Sequence, residues 1–295
     1  MKYEQINGNI VLTEYDSFSI AETLECGQCF RFQKIDDEDY IIIAFKKLLR
    51  VAKKDNNIIF YNTSIEDFEN IWINYFDLNR DYNQLKQLLS KNDSILAEAV
   101  KFAPGIRILN QDFFECLISF IISQNNRIPM IKKVIENISI KWGDYLGEFN
   151  SQSFYSFPDP EKLINISESE LMECKTGFRA KYIIDAIKKY MDGEIIYNDY
   201  ASMPTAMVKD NLMIIKGVGT KVADCVMLFS CGKSDAFPTD VWVKRIMSHF
   251  YFDENEASIK EIHKLAEEKF ENYAGFAQQY LFNYARQLKI GTNKK

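Results

Sequence analysis

Two glycines one residue apart, set between two apolar-periodic stretches, narrow what residues 212–225 can become. The run Leu212-Met-Ile-Ile-Lys-Gly-Val-Gly-Thr-Lys221-Val-Ala-Asp-Cys225 reads as helix, tight hairpin, helix. Gly217 and Gly219 make the hairpin and leave its backbone N–H groups uncovered, a nest that suits a phosphate. Thr220 and Lys221 open the second helix, where the positive end of the helix dipole favours a neutral, nucleophilic amine. Lys221 is followed 19 positions later by Asp240, in Phe237-Pro238-Thr239-Asp240-Val241-Trp242. Asp240 stands before an apolar-periodic run and reads as an N-cap carboxylate. Singly, these features have ordinary explanations: a common turn, a solvated lysine, a helix cap. Their order, an amine and a carboxylate flanking a phosphate-binding hairpin, points to covalent chemistry on a nucleic acid.

The rest of the chain supplies a frame for that segment. Residues 1–65 hold short β-branched or aromatic runs at 9–15, 29–33, 40–45, 48–52 and 58–61, separated by polar turns such as Asp36–Asp39 and Asp55–Asn57, the pattern of an antiparallel sheet. From Ser64, followed three residues later by Asp67, the period becomes helical. Helices are predicted at 112–123, 128–142, 159–163, 167–174, 179–190, 203–213, 220–229, 241–250, 258–272 and 275–288. The fold class is therefore α+β, a small N-terminal antiparallel sheet domain at 1–111 followed by a mostly helical domain at 112–295 with its hairpin at 213–221. No apolar stretch approaches the ~20 residues of a membrane span, and the start lacks a signal-peptide pattern. Six scattered cysteines suit a reducing interior better than a disulfide scaffold. Cys26 and Cys29 have no second pair at zinc-ligand spacing, and the chain has only two histidines. A net charge of −6 would not by itself suggest a DNA binder, so that inference rests on the motif.

With these residues in view, the chain resembles the helix-hairpin-helix DNA glycosylase superfamily, and within it the 8-oxoguanine DNA glycosylase/AP lyases. Beyond the hairpin, Gly27-Gln28-Cys29-Phe30-Arg31-Phe32 is similar to the family's early Gly-Gln-x-Phe-Arg-Trp element. Gln111-Asp112-x-x-Glu115-Cys116 with Ser123-x-Asn125-Asn126, then Gly177-Phe178-Arg179-Ala180-Lys181-Tyr182, then Ala274-Gly275-Phe276-Ala277-Gln278 with Leu281-Phe282, follow in the family order.

The resemblance implies excision of an oxidised purine from duplex DNA, with Lys221 attacking C1′ to form a Schiff base and β-elimination nicking the strand. It implies that Asp240 stabilises charge on the sugar. Cys225 and Phe282 would flank the extruded base, although both also suit a buried apolar site. Gln278 would read the Watson–Crick edge. The carbonyl of Gly27 would accept from the lesion's N7–H and repel guanine's N7, a contact worth about 1–3 kcal/mol. No metal or cofactor is needed for this chemistry. The resemblance also allows a monovalent cation held by the carbonyls of Met213, Ile215 and Val218. The expected partner is double-stranded DNA containing 8-oxoguanine, with no membrane association. A monomer in the cytoplasm of an AT-rich bacterium is expected.

The chain departs from the family pattern where the orphaned base would lie. Asn125 and Arg179 match, but Met130 stands in place of a second arginine, Phe178 in place of a tyrosine, and Trp242 in place of a phosphate-contacting histidine. Methionine cannot donate to a base edge, so a relaxed preference for cytosine opposite the lesion is expected. The alternatives are a monofunctional alkylpurine glycosylase, which lacks the lysine, and a non-catalytic hairpin module that binds DNA.

Overall fold

The computed structural model of the protein describes residues 1–13, 15 and 17–290. Glu14, within the first expected strand, and residues 291–295, the end of the second expected domain, lie outside them. Six strands, β1 Lys2–Ile6, β2 Asn9–Thr13, β3 Phe32–Asp36, β4 Asp39–Ala44, β5 Lys47–Lys54 and β6 Asn57–Tyr61, form one antiparallel sheet in the order β1-β2-β6-β5-β4-β3. Register follows the alternation of large apolar residues. Ile10 pairs Phe60, Phe60 pairs Val51 and Val51 pairs Tyr40, so one buried row crosses four strands. A slip of one residue would turn this row to solvent.

That face is covered by α1 Ile20–Glu25 and by a continuous helical stretch made of α2 Ile65–Asp67, a π-helical turn Phe68–Trp72 and α3 Ile73–Tyr75. Ser64 caps the stretch by accepting from the Asp67 N–H, as its sequence signal predicts. Phe68 and Phe76 meet the ring of Phe60 at 4.9 and 5.8 Å. β1 and α1 were not expected. The strand predicted at 29–33 begins instead at Phe32, because Gly27 turns the chain at φ 88 and the side chain of Gln28 is drawn inward.

The helical body follows: α4 Tyr82–Ser90, α5 Ser94–Phe102, α6 Phe113–Ser123, α7 Ile128–Trp142, α8 Pro160–Leu163, α9 Glu168–Glu173, α10 Ala180–Met191, α11 Thr205–Met213, α12 Thr220–Ser230, α13 Val241–Tyr251, α14 Ile259–Phe270 and α15 Ala274–Leu288. A hairpin of β7 Tyr145–Phe149 and β8 Gln152–Tyr155, absent from the sequence reading, leaves this body and packs against α7 and β5. α6 is apolar on nearly every face because it runs through the middle, stacked against α12. The largest core cluster joins α4, α5 and α15 to that centre.

Sheet and body are stitched by buried ions. Arg31, just before β3, sits 3.6 Å from Glu115 on α6 and donates to the Tyr155 carbonyl at the end of β8. Burial pushes Glu115 up to about 7 even though Arg31 pulls it down, and burial likewise lowers the Arg31 guanidinium against the pull of Glu115. A carboxyl raised in the folded state binds its proton more tightly there, so this contribution is present at acid pH and is lost as pH rises through about 7. Glu115→Gln has no such titration. Its Tm relative to the unaltered protein should rise by a few °C between about pH 5 and about pH 8, on top of any constant cost of uncovering Arg31, as measured by thermal melts.

Candidate active site

A cavity of about 250 Å³ opens between the sheet layer and the helical body, and Lys221, Asp240, Gly27, Cys225, Gln278, Phe282 and Trp242, all singled out in the sequence, meet on it. Lys221, Cys225 and Phe229 come from successive turns of one face of α12. Asp240, Pro238 and Trp242 come from the start of α13. Gln278, Phe282 and Arg286 descend one face of α15 at four-residue spacing. Gly27 and Phe30 come from the loop before β3, and Phe120, Ser123 and Asn126 from the end of α6 and the turn after it.

Two helices start on this cavity. α12 has Gly219 at its N-cap with no side-chain cap, so its first N–H groups are not closed off by the chain's own oxygens. α13 is capped by Asp240, whose Oδ1 accepts from the N–H groups of both Trp242 (2.8 Å) and Val243 (2.9 Å). Because Oδ1 takes both bonds, Oδ2 remains for whatever enters. The amine of Lys221 lies 5.3 Å from the ring centroid of Phe120. Burial pushes the Cys225 thiol up to about 11, although neighbouring Lys221 pulls it down.

The sheet layer contributes one backbone element held with care. Gln28 is fully buried; its Nε2 donates to the carbonyls of Thr23 (2.8 Å) and Arg107 (2.7 Å), and its Oε1 accepts from Leu109 N–H (2.8 Å). Gln111 donates to the Gln28 carbonyl at 2.7 Å. These bonds fix the turn at Gly27, whose φ of 88 disfavours a side chain and where a Cβ would sit 3.2 Å from Phe282 Cε1. Facing it, Gln278 is 4% exposed and its Oε1 has no hydrogen-bond partner among the described residues. A buried amide oxygen without a partner is costly unless an incoming donor meets it.

The hairpin forms where expected. Gly217 has φ 78, and a Cβ there would lie 2.5 Å from the ring of Tyr182 on α10. Lys216 N–H is fixed to Asp185 Oδ2 at 2.7 Å. Gly219 differs: its φ is −104 and a Cβ would meet nothing within 4 Å, so nothing in the fold requires glycine there. Of the carbonyls considered for a cation, that of Ile215 already accepts from Val218 N–H at 3.0 Å.

The remaining candidates lie outside the cavity. Met130 and Phe178 are 44% and 49% exposed. Asn125 adopts φ 47 in the turn after α6. Arg179 is buried, its guanidinium donating to the carbonyls of Gln124, Asn125 (2.9 Å) and Thr176 (3.3 Å). Phe120, Arg286 and the anchoring role of Gln28 were missed; for Arg286 the signal was the Gln278–Phe282 spacing continued by one turn. A second cavity of about 670 Å³ shares the walls Phe30, Ile128 and Arg286 but contains neither Lys221 nor Asp240.

Residues 10–117 match the family model for the 8-oxoguanine DNA glycosylase N-terminal domain, and residues 118–272 match that for HhH-GPD superfamily base excision DNA repair proteins. The chain belongs to the HhH-GPD superfamily of base excision DNA repair proteins. A probable N-glycosylase/DNA lyase of Methanothermobacter thermautotrophicus is 31% identical over 72% of each chain. The N-glycosylase/DNA lyase OGG1 of Arabidopsis thaliana is 28% identical over 91% of this chain and 77% of its own. Among solved structures of the superfamily, the Clostridium acetobutylicum 8-oxoguanine glycosylase/lyase, in complex with double-stranded DNA containing cytosine opposite 8-oxoguanine, is 43% identical. It superposes with a TM-score of 0.94, covering 98% of this chain and 99% of that one.

The two hairpin glycines of this HhH-GPD chain should behave differently. Gly217→Ala combines a left-handed backbone with a ring clash and should lose more than about 2 kcal/mol in denaturant unfolding, whereas Gly219→Ala should lose less than about 1 kcal/mol.

Proposed function

We propose that this protein excises 8-oxoguanine from duplex DNA and then cleaves the strand as an AP lyase, in base excision repair. The observation that carries the reading is the meeting of Lys221 and Asp240, each at a helix start, on one cavity also lined by Gly27 and by Gln278, whose buried Oε1 lacks a partner among the described residues. Relatives named as N-glycosylase/DNA lyases and 8-oxoguanine glycosylase/lyases support it.

The glycosidic bond is hidden in a stacked duplex, so the nucleotide must first swing out into the cavity. The amine of Lys221 then attacks C1′ while the C1′–N9 bond breaks and the base leaves with its electrons. Loss of protons from the nitrogen and opening of the sugar leave a Schiff base, which acidifies the C2′ proton; its removal breaks the C3′–O bond and nicks the strand. Asp240, with Oδ2 facing the sugar, offsets positive charge as the base departs. Cys225 and Phe282 close over the two faces of the base, and Gln278 pairs with its Watson–Crick edge through the amide. The Gly27 carbonyl accepts from N7–H, present in the lesion and absent from guanine.

Outside the cavity, the uncapped start of α12 with Gly217 and Gly219 receives a phosphate, and Trp242 lines the entrance in place of a cationic contact. Phe178 and Met130 meet the duplex where the nucleotide has left, with Asn125 and Arg179 beside the orphaned base. Met130 offers no donor, so we read the preference for cytosine opposite the lesion as relaxed. We divide the chain into domains at 1–111 and 112–295, where Asp112 caps α6. We take it to act as a monomer in a bacterial cytoplasm, the source being inferred from an Ile-, Asn- and Lys-rich composition.

Incubation with an 8-oxoguanine duplex and borohydride should yield a covalent enzyme–DNA adduct. Lys221→Gln should bind the same duplex yet form no adduct and release no base; an adduct surviving in that variant would overturn the assignment. Single-turnover excision opposite C, A, G and T should vary by less than about tenfold, a difference of about 1.4 kcal/mol, and a steep preference for C would count against the Met130 reading.

A further inference from the structure

Three residues beyond Lys221 on α12, Asp224 is 1% exposed and faces away from the cavity, toward α11 and α14. Its Oδ1 takes the ammonium of Lys209, on α11, at 2.8 Å. Its Oδ2 has no hydrogen-bond partner among the described residues and lies 3.7 Å from Nε2 of His263, on α14. The same Nε2 is 3.1 Å from Oγ1 of Thr239, the residue before Asp240. That hydroxyl donates its one proton to the Phe237 carbonyl at 3.1 Å, so His263 is the donor to it. A chain of polar contacts therefore runs from the Lys221 helix through Asp224, with Lys209 and His263 on either side, to the loop that carries Asp240. Asp235 is a further charge near Asp224, and the ring of Phe237 closes the side of His263 edge-on at 6.4 Å.

Buried ion pairs contribute little to stability on balance, and an open carboxylate oxygen is a standing cost. Retaining both at a point that joins the two reacting residues calls for a different account. We propose that Asp224, His263 and Thr239 are positioning residues, which hold the Asp240 loop in register with the Lys221 helix so that both side chains address the same sugar carbon. The assignment rests on the glycosylase/lyase reading above and extends it to residues that touch neither base nor sugar. α12 and α13 belong to different parts of the helical body, and the segment between them, residues 231–240, is mostly irregular. Without a tie, a shift of an ångström would move Asp240 away from the sugar while leaving Lys221 in place.

The two half-reactions separate this role from a purely structural one. Base excision needs Asp240 against the charge that develops on the sugar. Attack on a pre-formed abasic site needs the Lys221 amine but no base departure. Thr239→Val, which removes the acceptor of His263, should slow single-turnover excision from an 8-oxoguanine duplex by about ten- to a hundredfold. Cleavage of a pre-formed abasic duplex and affinity for a tetrahydrofuran-containing duplex should stay within about threefold of the unaltered protein. Thr239→Ser, which keeps the hydroxyl, should restore excision, and Asp224→Asn should slow it with the same selectivity. Equal excision by Thr239→Val and the unaltered protein would overturn the proposal, as would a parallel loss of both reactions with a lowered Tm. An unaltered protein that forms no borohydride adduct would remove the functional reading and this inference with it, whereas an active protein indifferent to Thr239→Val removes this inference alone.

Discussion

Two helix starts that open onto one space are what the site depends on. A helix start presents unsatisfied N–H groups and the positive end of a dipole, and these act only over the first turn. α13 meets that need itself, through Oδ1 of Asp240. α12 does not, because Gly219 has no side chain to offer. The same local physics thus yields a fixed carboxylate on the cavity and, just outside it, a helix start that no side chain caps. α6 packs on α12 and α15 packs on α13, so each of the two helices is held by its own neighbour in the body.

The sheet layer looks remote from this chemistry until the loop before β3 is considered. Its contribution to the cavity is the ring of Phe30 and the backbone turn at Gly27, and a turn cannot be set by a rotamer. It is set by the chain around it. Gln28 does this by spending its side-chain amide on three backbone groups, one nearby at Thr23 and two in the distant segment at Arg107 and Leu109. The Arg31–Glu115 pair anchors the same loop to α6, the helix whose end borders the cavity. A small sheet domain is thereby tied to the helical body at the edge of the cavity.

Much of this was legible in the sequence where local rules decide. The caps at Ser64 and Asp240 were readable because an N-cap is a contact between near neighbours. So was the hairpin, since its left-handed glycine is a property of the chain alone. What escaped depends on distant partners. β1 has only one buried-facing position of any weight, Tyr3, and is a strand because β2 pairs with it. The β7–β8 hairpin has weak alternation and gains its place by packing on α7. Cys29 and Phe30 carry strand-forming side chains, yet the demands of Gln28 pull that stretch out of the sheet. Lys221, Cys225, Asp240, Gln278 and Phe282, read as candidates from motifs, line one cavity, whereas Phe120 and the Asp224–His263–Thr239 contacts, which join three separate segments, were not read as candidates.

Arg179 has a consequence of its own. Its guanidinium makes four hydrogen bonds, to the carbonyls of Gln124, Asn125 and Thr176, and so braces the left-handed turn at Asn125. With most of its donors spent on backbone, this cation acts first as a brace for the corner after α6, and little of it is left to meet anything outside the chain.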